Sequence, residues 1–61
     1  MKIKLVGALP TQLKDLGLKA GDLFEAYPST SSTYANAVEI KVMKDGEPCV
    51  ATVYSENYKK L

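Results

Sequence analysis

Few residues in this 61-residue chain have side chains suited to catalysis: it holds one cysteine, no histidine and seven acids. General acid–base catalysis usually requires a histidine or a pair of carboxylates with shifted pKa values. The acids here are spread among lysines, on faces that we expect to be solvated. One cysteine without histidine also cannot supply the usual metal ligand sets. We therefore expect no enzymatic activity, no cofactor and no metal site.

Four tyrosines are better candidates for a functional site. A tyrosine ring offers a large flat surface and loses little conformational entropy on binding. All four lie at the ends of expected strands or in loops: Tyr27, Tyr34, Tyr54 and Tyr58. Either they bind a protein partner, or two or three of them close the ends of the fold with their hydroxyls in water.

The charge balance disfavours nucleic acid as the partner. The eight cations are all lysines and the net charge is +1. Without arginine the chain has no planar fork for bidentate contacts to guanine or phosphate, and so small a net charge releases few counterions. Nucleic-acid binding through Lys2, Lys4 and Lys41, with tyrosines stacking on bases, stays as the alternative.

The Asp45-Gly46 dipeptide organises the second half of the chain. Asp-Gly between alternating residues is typical of a two-residue type I′ hairpin turn. If Lys44 pairs with Glu47, one register over residues 38–53 places six apolar side chains on the same face. These are Val38, Ile40, Val42, Cys49, Ala51 and Val53. Pro48 cannot donate to a ladder, so this register requires its nitrogen to face an edge or a bulge.

This register places Cys49 opposite Val42, with no cation beside it, so we expect a buried and unreactive thiol. A single cysteine cannot form an internal disulfide. The chain also shows no secretory signal and no apolar run long enough to span a membrane. These features predict a cytoplasmic protein without membrane contact.

The remaining segments predict short strands. Residues 1–6 alternate lysines with apolar residues, and Lys2 and Lys4 suit an edge strand. Residues 23–27 should form a strand with Phe24 and Ala26 facing inward, because the opposite parity would bury Glu25. Residues 29–36 form a polar connection, residues 55–57 a 3₁₀ turn and residues 58–61 a last strand. Residues 10–17 form either one or two helical turns or an ordered loop. The result is a single all-β domain over residues 1–61, a small partly open barrel of five strands.

Three stretches together resemble the SH3-like barrel family. Residues 18–26, LKAGDLFEA, are similar to the family's approach to its second strand, and Asp45-Gly46 occupies the place of its distal hairpin. Residues 55–61, SENYKKL, resemble its closing serine-asparagine-tyrosine segment, with Glu56 as one extra residue. This resemblance of pattern covers most of residues 16–61 and implies a five-stranded SH3-like barrel.

The chain departs from the proline-recognising members of that family. Those members use a tryptophan after the polar loop, an aromatic cluster near the N-terminus and an acidic loop. This chain has no tryptophan, and only Tyr58 matches a residue of their groove. The resemblance therefore implies the barrel but not recognition of proline-rich peptides.

These observations predict a small non-enzymatic protein-interaction module that occupies a partner's surface. The chain's size, its lysine-only basicity and its initial methionine are typical of a complete small accessory protein of a bacterium or phage. Such a protein would modulate or inhibit a host protein. A further alternative is a homo-oligomer that assembles through open strand edges.

Overall fold

A computed structural model of the chain describes residues 1–29 and 36–61. In these ranges five antiparallel strands form one open sheet of order β4-β3-β2-β1-β5. The elements in chain order are β1 (Lys2–Leu5), helix α1 (Thr11–Asp15), β2 (Leu23–Pro28), β3 (Val38–Lys44), β4 (Glu47–Val53), a 3₁₀ helix (Ser55–Asn57) and β5 (Tyr58–Lys60). The predicted small all-β fold of five strands is confirmed.

Strand β2 joins the two halves of the sheet. Its first half pairs with β1, where Phe24 lies opposite Ile3, and its second half pairs with β3, where Ala26 lies opposite Ile40. Phe24 and Ala26 both face inward as predicted, and β2 continues one residue further than expected, through Pro28. The largest fully buried side chains come from both halves and from α1: Ile3, Leu5, Leu13, Val38, Ile40 and Val53. The sheet therefore surrounds one core and stays open between β4 and β5.

The hairpin forms in the predicted register. Lys44 lies opposite Glu47 and Val42 opposite Cys49. Asp45 and Gly46 have φ values of 53° and 80°, as a type I′ turn requires. Strand β4 is the outermost strand on its side of the sheet, so Pro48 meets the open edge that its missing N–H demands.

The first loop contains a helix, which decides between the two alternatives for residues 10–17. Pro10 precedes α1 with a φ of −67°, and its carbonyl accepts hydrogen bonds from the N–H groups of Leu13 and Lys14. Leu13 is buried, and Leu16 packs against the core. Gly17 follows with a φ of 80°, a conformation that favours glycine.

Two expectations from the sequence are wrong. Strand β1 is not an edge, because β2 pairs with it on one side and β5 on the other. Lys4 therefore lies directly opposite Lys59. Cys49 is half-buried and not fully buried, although it does pack against the core as expected of its face. In the part of the chain that the structure describes, β4 is the outermost strand, so no strand lies beside Cys49 on one side.

The closing segment is fixed by side-chain hydrogen bonds to distant backbone. The buried Asn57 amide donates from Nδ2 to the carbonyls of Val6 at 3.2 Å and Ala8 at 3.1 Å. The Tyr58 hydroxyl donates to the carbonyl of Asn36. These bonds connect the 3₁₀ helix and β5 to the first loop and to the start of the hairpin.

Candidate binding surface

Four large apolar side chains stand exposed on β2, β3 and β4, on the face of the sheet that points away from the core. Leu23 of β2, 58% exposed, lies opposite Lys4 of β1, and the other three lie on three neighbouring strands. Tyr27 of β2 is 52% exposed, Met43 of β3 is 65% exposed and Val50 of β4 is 62% exposed. We call these three residues the outer patch. Side chains alternate across a strand, so the register that buries Ile40 and Ala51 necessarily turns these three outward.

A shallow depression of about 170 Å³ adjoins the outer patch. Its lining residues are Tyr27, Glu39, Ile40, Lys41 and Val50. Tyr27 lies opposite Glu39, and Lys41 opposite Val50, which places the aromatic ring diagonally from the lysine. The depression thus combines an aromatic ring, an aliphatic side chain and two charged groups of opposite sign.

The two charged groups of the depression differ in their partners. The Glu39 carboxylate accepts a hydrogen bond from the Ser29 hydroxyl at 3.3 Å. In residues 1–29 and 36–61 the one ion pair joins the N-terminal ammonium to Glu25, at 3.2 Å. Lys41 forms no ion pair within these ranges, so its ammonium group can donate a hydrogen bond to an acceptor on another molecule.

The four tyrosines do not form one cluster. Tyr27 is exposed in the outer patch, and Tyr54 is half-buried beside α1. Tyr58, at the start of β5, belongs to the core at 9% exposure, and its hydroxyl is bonded to the Asn36 carbonyl and not to water alone. Tyr34 lies outside the described residues. Only Tyr27 and Tyr54 therefore remain as tyrosine contacts that the structure can place.

A second concave site lies along the open edge of β4. It is a cleft of about 290 Å³ between this edge and α1, lined by Gln12, Leu13, Leu16, Val50, Ala51, Thr52 and Tyr54. None of these seven residues is charged. Val50 lines both the cleft and the depression, so the two sites are continuous at this side chain.

A group of lysines occupies the other end of the outer face. Lys2 and Lys4 of β1 are exposed, and Lys4 faces Lys59 across the β1–β5 ladder. Lys41 is not part of this group, since it lies on β3 beside the outer patch. Nucleic-acid binding would use Lys2, Lys4 and Lys41. These lysines lie in two separate places, on β1 and on β3.

Sequence reasoning centred on tyrosines missed Met43 and Val50. The signal was present in the hairpin register, which pairs Met43 with Pro48 and Lys41 with Val50 on the face opposite the core. Exposed apolar residues at these places could therefore have been read from the alternation alone.

Three further searches concern metal sites, membrane-spanning helices and similar proteins. Within the described ranges, no three His, Cys, Asp or Glu residues lie together in a group that could hold a metal ion. Among the same residues, no helix is long and apolar enough to cross a membrane. Comparison with protein-family models, with curated proteins and with solved structures finds no match to this chain.

Proposed function

We propose that this chain is a small non-enzymatic protein-interaction module that binds a protein partner through the outer patch and its depression. The observation that carries this proposal is the exposure of Tyr27, Met43 and Val50 on three adjacent strands of one sheet. Occupying a partner's surface would modulate or inhibit that partner, which is the role expected of a small accessory protein of a bacterium or phage.

The composition of the patch supports this proposal. Single exposed apolar residues are normal on protein surfaces, but several on neighbouring strands beside a concave site are typical of contact surfaces. Tyrosine and methionine are enriched at the centres of interfaces. The paired strands also hold these side chains before binding, which lowers the entropic cost of association.

Affinity capture with designed variants tests the proposal. The tagged chain is used to capture proteins from a bacterial lysate, and the captured partner is then purified and titrated against the variants. Tyr27→Ala should weaken binding by about 2 kcal/mol, or about thirtyfold, if Tyr27 is a hot spot. Leu23→Ala is the matched control, because Leu23 is 58% exposed on the same face but lies opposite Lys4, away from the patch.

The control variant should bind its partner as the unaltered chain does. Equal binding by Tyr27→Ala, Val50→Ala and the unaltered chain would place the contact elsewhere and refute the outer patch. A partner whose affinity falls only with Leu23→Ala would move the site to the lysine end of the sheet.

Nucleic-acid binding is the second candidate, and the juxtaposition of Lys4 and Lys59 favours it. Phosphates could neutralise these opposed charges, and affinity would then fall linearly with salt on logarithmic scales. Glu25 and Glu39 stand on the same outer face and partly cancel the field of the lysines. We therefore expect no binding to single- or double-stranded oligonucleotides at about 150 mM salt, near physiological ionic strength. A micromolar complex with a steep salt slope would favour this second candidate.

A further inference from the structure

The geometry points to the open edge of β4 as a docking site for an extended, uncharged segment of a protein partner, which adds as a strand beside β4 and places a side chain in the cleft. This inference rests on the proposed function of protein binding. It names a different contact, the backbone of β4, and a defined kind of partner.

The hairpin register determines which backbone groups face the open edge. In a two-residue hairpin the closing pair is hydrogen-bonded and the pairs then alternate, so Val50 and Thr52 belong to pairs that do not bond across to β3. Their N–H and C=O groups therefore point away from β3. In the described part of the chain, β3 is the only strand that pairs with β4. The edge thus offers two donors, together with the carbonyls of Pro48, Val50 and Thr52.

The side chains of β4 do little to prevent such pairing. Natural proteins protect edge strands with charged residues, proline or a strong twist. Proline stands only at residue 48, near the start of the strand, and β4 has no charge after Glu47. The stretch from residue 49 to residue 53 consists of small or β-branched neutral residues that favour strand pairing.

The cleft beside this edge indicates what the added segment carries. Every second side chain of an added strand would point toward the cleft between β4 and α1, and the others toward the outer face beside Val50. The cleft lining is uncharged, with Leu13 and Leu16 as its apolar part and Gln12 and Thr52 among its polar part. Burying a charge there without a partner would be costly, so the lining complements an apolar or neutral side chain.

A free segment fits this site better than a second copy of the chain does. In a β4–β4 pair, the inward side chains of the second strand, Ala51 and Val53, would already be packed in their own core and could not fill the cleft. A standard interface also takes about 800 Å² from each partner. That is a large share of the 4252 Å² surface of the described chain, and two rigid copies that meet along one short edge supply little of it.

Strand addition combines backbone hydrogen bonds, which supply affinity, with pockets for alternate side chains, which supply specificity. The β4 edge and its cleft provide both elements. Because Val50 lines the cleft and the depression alike, an added strand would continue the contact surface of the outer patch.

The experiment selects binders from a library of random ten-residue peptides on the immobilised full chain, and the enriched peptides are synthesised as probes. Backbone amide exchange is measured by NMR with and without each probe. We expect the probes to be uncharged at their central positions and to slow exchange at Val50 and Thr52 at least tenfold. Exchange at Ala51 and Val53, whose N–H groups face β3, should change little.

Thr52→Pro tests the backbone contact directly. It removes an N–H that the β3–β4 ladder does not use, at a position equivalent to that of Pro48. We expect it to weaken probe binding about tenfold, and to weaken it more than Thr52→Val does, because that variant changes the same side chain but keeps the N–H. If Thr52→Pro fails to fold, Gln12→Glu adds a charge to the cleft and should also weaken binding. Thr11→Glu adds the same charge beside the cleft lining and should not.

Three outcomes would overturn this inference: no enriched peptide, probes that leave Val50 and Thr52 exchange unchanged, or equal binding by Thr52→Pro and Thr52→Val. A dimer in sedimentation equilibrium that Thr52→Pro dissolves would assign the edge to a second copy instead. The two proposals fail separately. If Tyr27→Ala loses partner binding and Thr52→Pro keeps it, the outer patch stands and the edge is rejected. If Thr52→Pro loses partner binding and Tyr27→Ala keeps it, the edge stands and the outer patch is rejected.

Discussion

Lys4 of β1 lies directly opposite Lys59 of β5, and both side chains are exposed on the outer face. Like charges directly opposite each other in an antiparallel pair are destabilising. The fold therefore retains an unfavourable pair between β1 and the outermost strand β5, and this pair should have a measurable effect on stability.

We expect Lys59→Glu to raise the free energy of unfolding by about 0.5 kcal/mol, since it replaces repulsion of Lys4 by attraction. Urea denaturation at low ionic strength measures the change, which should shrink as salt is added. Lys60→Glu is the control, because Lys60 lies opposite Ile3 and has no charged partner in register. Equal effects of the two substitutions would show that the Lys4–Lys59 pair itself contributes nothing.

Gly46→Val should lower the free energy of unfolding by about 1 to 2 kcal/mol. Gly46 has a φ of 80°, a region that costs an L-residue about that much, and a β-branched residue is among the least tolerant. Apart from its two chain neighbours, no described residue has an atom within 4 Å of a Cβ at Gly46, so the cost is conformational and not steric. Gly46→Asn should cost less, because asparagine tolerates this conformation. Thermal denaturation of both variants tests this, and an unchanged Tm for the valine variant would count against the turn.

Asn57→Ala should destabilise the fold by about 2 kcal/mol. It removes the Nδ2 group that donates to the carbonyls of Val6 and Ala8, and it leaves those acceptors without this donor. Ser55→Ala, in the same 3₁₀ helix but exposed, should change stability by less than about 0.5 kcal/mol. Denaturant midpoints compare the two, and similar losses would mean that the Asn57 amide is not a stabilising link.

Tyr58→Phe and Tyr27→Phe should behave differently, although each removes one hydroxyl. The Tyr58 hydroxyl donates to the Asn36 carbonyl and the side chain is buried, so its loss should cost about 1 kcal/mol. The Tyr27 side chain is half exposed, and we expect no measurable loss from its change. Chemical denaturation of both variants is the test. A Tyr58→Phe protein as stable as the unaltered chain would contradict the structural role of that hydrogen bond.

Cys49 should react with a small thiol reagent in the folded state, but more slowly than in denaturant. The side chain is half-buried and packs against the core, so access is restricted without being abolished. Labelling followed by mass spectrometry measures both rates. Complete protection of the folded protein would show that the core closes over the thiol, and would contradict its half-buried position.

The sequence by itself determined the elements whose contacts are local. The turn at Asp45-Gly46 and the alternation on either side of it specify a single register, because a shift of one residue would turn the apolar set to solvent. The same period of two explains which side chains of β1 and β2 face the core. Ile3, Leu5 and Ala26 are fully buried, and Phe24 is half-buried. The fold class could be predicted because these local patterns leave little room for anything but short strands.

Only the tertiary structure decided which strands are edges and which tyrosines are exposed. Strand order depends on pairs far apart in the chain, such as Leu5 with Tyr58, and no local pattern reports them. That pairing places β1 inside the sheet and brings Tyr58 into the core, and among the described residues it leaves β4 with an open edge. Tyr27 and Val50 line one depression on the outer face for the same reason, since backbone hydrogen bonding between distant segments brings side chains together that the sequence separates.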